Sequence, residues 1–136
     1  MKGSYILVIY LPEKVEIQVG FLGELLFNQG FYLYIGSAMG KLGSSTLLNR
    51  VKRHVQPTED KKVHWHIDYL LNHKRIVFTQ IYLIPSLERL ECIIAKDLIR
   101  LTDDYIKNFG SSDCNCQSHL FYIKDFKGFG ISKKFI

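Results

Sequence analysis

The sequence predicts a small α+β domain, a central and mostly antiparallel sheet flanked by helices. Three patterns carry that expectation. Residues 5–11 are a continuous apolar run of strand-forming residues, suited to a strand buried on both faces. Residues 13–20 alternate, with Val15, Ile17 and Val19 set against Glu16 and Gln18, the period-two signature of a half-exposed strand. Residues 45–55 and 86–101 instead carry apolar side chains at helical spacing.

The chain has 136 residues, enough for one domain over 1–136 with a single core. Apolar residues make up 47% and charged residues 23%, a balance that excludes a disordered polyelectrolyte. No run of about 20 apolar residues is present, so no membrane partner is expected. The N-terminus enters a strand directly, without a secretory apolar region. Three cysteines do not make a disulfide framework, and a reducing cytoplasm is the expected setting. The formal charge of +5 permits a polyanionic partner.

In chain order, Pro12 closes the first strand, and the short link through Pro12, Glu13 and Lys14 suggests a hairpin into residues 13–20. Residues 21–28 are ambiguous, and residues 31–36 return as the next strand, so a three-stranded sheet is expected from 5–36. A glycine- and serine-rich loop, residues 37–45, then exposes backbone N–H groups. Ser44 or Ser45 is the expected N-cap of a helix with Leu47, Leu48, Val51 and Val55 on its apolar stripe. Residues 64–73 read as a second helix with Trp65, Tyr69 and Leu70 on one face. Residues 76–84 form a strand ended by Pro85, and Ser86 is the expected cap of a long helix striped by Leu87, Leu90, Ile94, Leu98 and Leu101. Residues 108–118 are a turn-rich loop, 119–123 a last strand, and 124–136 a loosely held tail.

The chemistry gathers around residues 31–55. Arg50 and His54 lie four apart and so share a helix face, close in sequence to a strand end bearing Tyr34. A cation, an imidazole and a phenol make an anion site, with phosphate the natural occupant. Glu91 lies four after Leu87 and four before Ala95, bordering an apolar stripe, where a carboxylate needs a partner such as a metal. Cys114, Cys116 and His119 raise zinc as one reading, with His64, His66 or Asp113 as fourth ligand; a packed loop carrying reduced thiols is the other. Cys92 reads as a small buried apolar residue.

Gly3-Ser4-Tyr5, Tyr34-Ile35-Gly36 and the segment Arg50-Val51-Lys52-Arg53-His54, in that order, resemble the GIY-YIG nuclease superfamily of homing endonucleases and the excision-repair incision subunit. The run from His64 through Leu71 (HWHIDYLL), Glu91-Cys92 and Gly110-Ser111-Ser112-Asp113-Cys114 are similar to an uncharacterised prokaryotic branch, some members of which are fused to a DNA glycosylase of the endonuclease III type. The resemblance spans residues 3–123 and implies a GIY-YIG-like fold. It implies that Tyr5 and Tyr34 lie by the attacked phosphodiester, one helping to deprotonate water. It further implies Arg50 as the catalytic arginine, His54 as a companion histidine, and Glu91 as ligand of one divalent metal, Mg²⁺ or Mn²⁺. Ser37, Arg53 and His66 are supporting candidates. The implied activity is metal-dependent cleavage of DNA, or of RNA, in repair or DNA processing. Three features depart from the family: the first motif reads Gly-Ser-Tyr, the loop before Arg50 is expanded, and only Asn108 and Asn115 stand near the place of a late asparagine. The basic excess, the expanded loop and the missing asparagine motivate the alternative of a non-catalytic nucleic-acid-binding module. A structural, metal-storing role of the cysteine loop is a third reading.

Overall fold

The structure, a computed structural model, describes residues 1–56, 63, 65–111 and 116–129. Its strands form a five-stranded sheet in the order β5-β1-β4-β7-β6, and every pairing in it is antiparallel. The elements are β1 (Gly3–Leu11), β2 (Val15–Gln18), β3 (Glu24–Phe27), β4 (Gly30–Ala38), β5 (Val77–Pro85), β6 (Asp104–Tyr105) and β7 (Leu120–Ile123). Three helices join them, α1 (Leu47–Val55), α2 (His66–Leu71) and α3 (Glu91–Leu101). The α+β expectation therefore holds, and no helix among the described residues is long and apolar enough to cross a membrane.

The expected hairpin through Pro12 does not form. β1 pairs instead with β4, Gly3 opposite Ala38 through Leu11 opposite Gly30, while β2 pairs with β3 in a separate ribbon. The burial patterns explain the choice. β1 is apolar on both faces and needs a neighbour that is also covered on both, which β4 is. β2 and β3 bury alternate residues only, so they lie as a two-stranded cover over the core. The ambiguous residues 21–28 thus supply β3 after a short 3₁₀ turn, Gly20–Leu22.

Alternation along β1 and β4 builds two cores, one on each face of the sheet. On one face Tyr5, Leu7, Ile9, Leu11, Tyr32 and Tyr34 meet α1, α2, Phe27 and Phe109. On the other, Ile6, Val8, Leu33, Ile35 and Phe121 meet Ala95 and Leu98 of α3. Phe126 and Phe129 pack on this second face, and the Phe129 N–H donates to the Tyr82 hydroxyl at 3.3 Å. The expected loose tail is therefore tied down as far as residue 129; the remainder of that expectation lies outside the described residues.

Each helix begins later than its sequence suggests. Thr46, not Ser44 or Ser45, is the N-cap of α1. Its buried residues are Leu47, Val51 and His54, whereas Leu48 and Val55 are exposed. In α2, Trp65 is the N-cap, and Ile67, Asp68, Leu70 and Leu71 are buried. α3 starts at Glu91 behind Leu90, because Ser86 spends its hydroxyl accepting the Glu88 N–H in a local turn. Leu87 and Leu101 are exposed, and the stripe that packs runs through Ala95 and Leu98 with Ile94 and Ile99 beside it.

Candidate functional site

One cleft of about 490 Å³ is lined by Tyr5, Tyr34, Gly36, Ser37, Arg50 and Glu91, with Trp65, Arg89, Cys92, Gly110 and His119 completing its wall. Its position follows from the sheet. β7 pairs with β4 only from Phe31 to Tyr34, and the Ile35 N–H then donates to the His119 carbonyl at 2.9 Å. Beyond that point residues 36–38 keep β1 on one side and lack a β7 partner on the other. Through this notch the two faces of the sheet communicate. The body of α3 packs on the face opposite α1, yet its first residue, Glu91, borders the same cleft as Arg50.

Tyr5 and Tyr34 stand on neighbouring strands with ring centroids 6.5 Å apart. Tyr5 faces Gly36 across the β1–β4 ladder, where any Cβ would overlap its ring, so only glycine admits this packing. The Tyr5 hydroxyl and His54 Nε2 share a buried hydrogen bond of 2.8 Å. His54 is fully buried against both tyrosines and Trp65, so it sits behind the cleft and not on the solvent face of α1. Burial raises both phenols well above their ordinary value. The neighbouring Tyr34 ring adds to the shift at Tyr5, the Glu91 and Asp68 carboxylates add to it at Tyr34, and Arg50 opposes it at both. Both are neutral hydrogen-bond donors at neutral pH.

Arg50 Nη1 donates to the Ser37 carbonyl at 3.0 Å, and its guanidinium lies 5.0 Å above the Trp65 ring. Its Nε is buried without a hydrogen-bond partner, and among the described residues no carboxylate ion-pairs with it. Arg50 therefore keeps charge and donors for a ligand. Ser37 also accepts from Arg89 Nη1 through its hydroxyl at 3.3 Å, so this one residue steadies two arginines. Glu91, 19% exposed, has Arg89 at 3.5 Å and His119 Nδ1 at 4.0 Å. Arg89 reaches the cleft because α3 has not yet begun at that residue.

Arg53 plays a different part. Its two terminal nitrogens grip both oxygens of Asp68 at 3.1 Å each, and Asp68 also accepts the Trp65 N–H at 2.9 Å. The Arg53 guanidinium also lies 4.5 Å over the Trp65 ring, so the pair locks α2 to α1 and holds the indole. His66 does not line the cleft. Its Nδ1 accepts the Gly110 N–H at 2.8 Å and its ring meets Phe109 edge-on, which fixes the loop that closes over Tyr34.

Burial lowers the His66 pKa below its ordinary 6.5. A histidine depressed in the folded state binds protons more readily when unfolded, so the native state loses stability as pH falls through that ordinary value. Thermal melts are expected to show a lower Tm at about pH 5.5 than at about pH 7.5, with a smaller drop in His66→Asn, which retains an acceptor for Gly110 but does not titrate. An equal drop in the variant would assign the acid sensitivity elsewhere.

Of the proposed zinc residues, Cys114, His64 and Asp113 lie outside the described residues, as does the asparagine candidate Asn115. Cys116 and His119 do approach each other, but the third member beside them is Cys92, whose role had read as simple packing. Asn108 sits in a left-handed turn, φ 64°, away from the cleft. Trp65 escaped the reading of site residues although it stands inside the quoted motif, where its rarity was the available signal.

A family model described as a domain of unknown function, DUF123, matches residues 4–131. No curated protein and no solved structure matches.

Proposed function

The chain belongs to the DUF123 family of domains of unknown function, and on that premise we propose that it is a GIY-YIG-type endonuclease hydrolysing phosphodiester bonds in DNA. The observation that carries the reading is the convergence of Tyr5, Tyr34, Arg50 and Glu91, far apart in the chain, on one cleft. A phosphate there meets the uncommitted donors of Arg50, whose planar fork suits two non-bridging oxygens. The neutral Tyr34 hydroxyl donates a further hydrogen bond. Tyr5 takes a proton from the attacking water while passing its own to His54 Nε2, which explains how a phenol with so high a pKa serves as a base.

The donor set suits a hard divalent cation. Glu91 offers carboxylate oxygens at the cleft wall, and its cationic neighbour Arg89 is an exposed side chain at 3.5 Å that can yield. Glu91 would hold Mg²⁺, with Mn²⁺ as substitute, which when bound supplies Lewis-acid stabilisation of the phosphoryl oxygens.

The test is nicking of supercoiled and branched DNA, with an RNA arm, in Mg²⁺ or Mn²⁺ and with chelator. Cleavage is expected to require the cation, to fall at least tenfold in Tyr34→Phe, and to vanish in Glu91→Ala. Cleavage that survives in both variants would overturn the mechanism. Salt-dependent DNA binding without turnover in any metal would replace it with the binding-module reading.

A further inference from the structure

On the wall of the cleft away from Arg50, side chains from two distant segments meet. Cys92 is the second residue of α3, and Cys116 and His119 stand on the segment leading into β7. The sulfur atoms and a ring nitrogen of these three residues all lie within 4.8 Å of one another. Tetrahedral zinc with Zn–S near 2.3 Å and Zn–N near 2.0 Å sets its ligand atoms about 3.5–3.8 Å apart. Closing that gap takes rotamer adjustment of less than about 1.5 Å and no movement of a strand or helix.

Two of the three ligands are held in advance. Cys92 is fixed by its helix. His119 is held through its backbone, its N–H donating to the Phe109 carbonyl at 2.8 Å and its carbonyl accepting from Ile35 at 2.9 Å. Its ring is hydrogen-bonded to the Gly110 backbone, the arrangement by which metal-bound histidines are oriented by the group behind them. The ring itself is buried. Cys116 and His119 are separated by two residues, a local spacing that zinc sites use, with Cys92 arriving from elsewhere in the chain.

We propose that Cys92, Cys116 and His119 form a binding site for a borderline-soft divalent cation, Zn²⁺ in the cell, built into the wall of the cleft. Two thiolates and an imidazole select zinc over magnesium, so this site and the carboxylate of Glu91 take cations of different chemistry. Because the ligands join the start of α3 to the approach of β7, the bound ion cross-links the two sides of the notch through which the sheet's faces communicate. The proposal does not depend on nuclease activity.

The test uses the full chain, stripped of metal under reducing conditions and titrated with Co²⁺ and then Zn²⁺. The expected result is one equivalent of Co²⁺ with thiolate-to-cobalt charge-transfer absorption, displaced by Zn²⁺, and a rise in Tm with Zn²⁺ that Mg²⁺ does not produce. Cys92→Ser and Cys116→Ser are expected to weaken Zn²⁺ binding at least tenfold and to lose that rise. If either variant fails to melt cooperatively, alkylation of the wild-type chain decides, with Zn²⁺ expected to slow modification of Cys92 and Cys116 at least tenfold. Absence of stoichiometric Co²⁺ binding, an undiminished charge-transfer band in Cys92→Ser, or alkylation rates indifferent to Zn²⁺ would each overturn the site.

Discussion

Arg50→Ala is expected to lower kcat/KM for DNA cleavage by about 10²–10³, the loss found when a preorganised donor to a developing oxyanion is removed. The expectation follows from how little the protein itself asks of this side chain. Among the described residues its one side-chain hydrogen bond goes to the Ser37 carbonyl, its Nε is buried without a partner, and no carboxylate ion-pairs with it. Stability should therefore change by only about 1 kcal/mol, the net worth of an ordinary hydrogen bond plus contact with Trp65. The signature is a large fall in kcat with a nearly unchanged melt. Arg50→Lys should restore binding of the phosphate charge more than it restores kcat, because an ammonium lacks the planar fork. An Arg50→Ala protein that cleaves at wild-type rate would remove the cleft from the chemistry.

Arg53→Ala, one helical turn away, should behave in the opposite manner. It removes the bidentate cation from a carboxylate with no exposed surface, and breaking a buried pair in this way is expected to destabilise by about 3–5 kcal/mol. A domain of this size holds about 5–15 kcal/mol in all, so the variant would be marginal at body temperature. Replacing both partners with apolar residues of similar volume, as in Arg53→Met with Asp68→Leu, should recover much of the loss, although the Trp65 N–H then loses its acceptor. Urea or thermal unfolding measures both. A single variant weakened by under 1 kcal/mol would show that Asp68 finds another cation.

The contrast between these arginines marks where the sequence can be read and where it cannot. Tyr5, Tyr34 and Arg50 stand at positions that strand ends and helix period define locally, and Glu91 was singled out by its place beside an apolar stripe. What escaped the reading depends on pairing across the chain. Pro12 looks like a hairpin turn because its immediate neighbours do; only the demand of β1 for a partner covered on both faces sends it to β4. Arg53 reads as a supporting site residue because nothing local reveals that α2 brings a buried carboxylate to it. His54 reads as a companion of Arg50 in the site, whereas it is buried behind the cleft, hydrogen-bonded to the Tyr5 hydroxyl of β1. Cys92 looked apolar for the same reason, since Cys116 and His119 come from a segment distant in the chain, the one leading into β7.

Trp65 is the chain's single tryptophan, and two guanidinium groups lie against its ring, one committed to Asp68 and one at the cleft. Indole emission shifts with the charges around the ring. Whatever draws Arg50 toward an incoming anion alters the field on this one fluorophore, while Arg53 holds it still. The molecule thus carries its own label-free optical gauge of occupancy, readable by titration before any reaction is assayed.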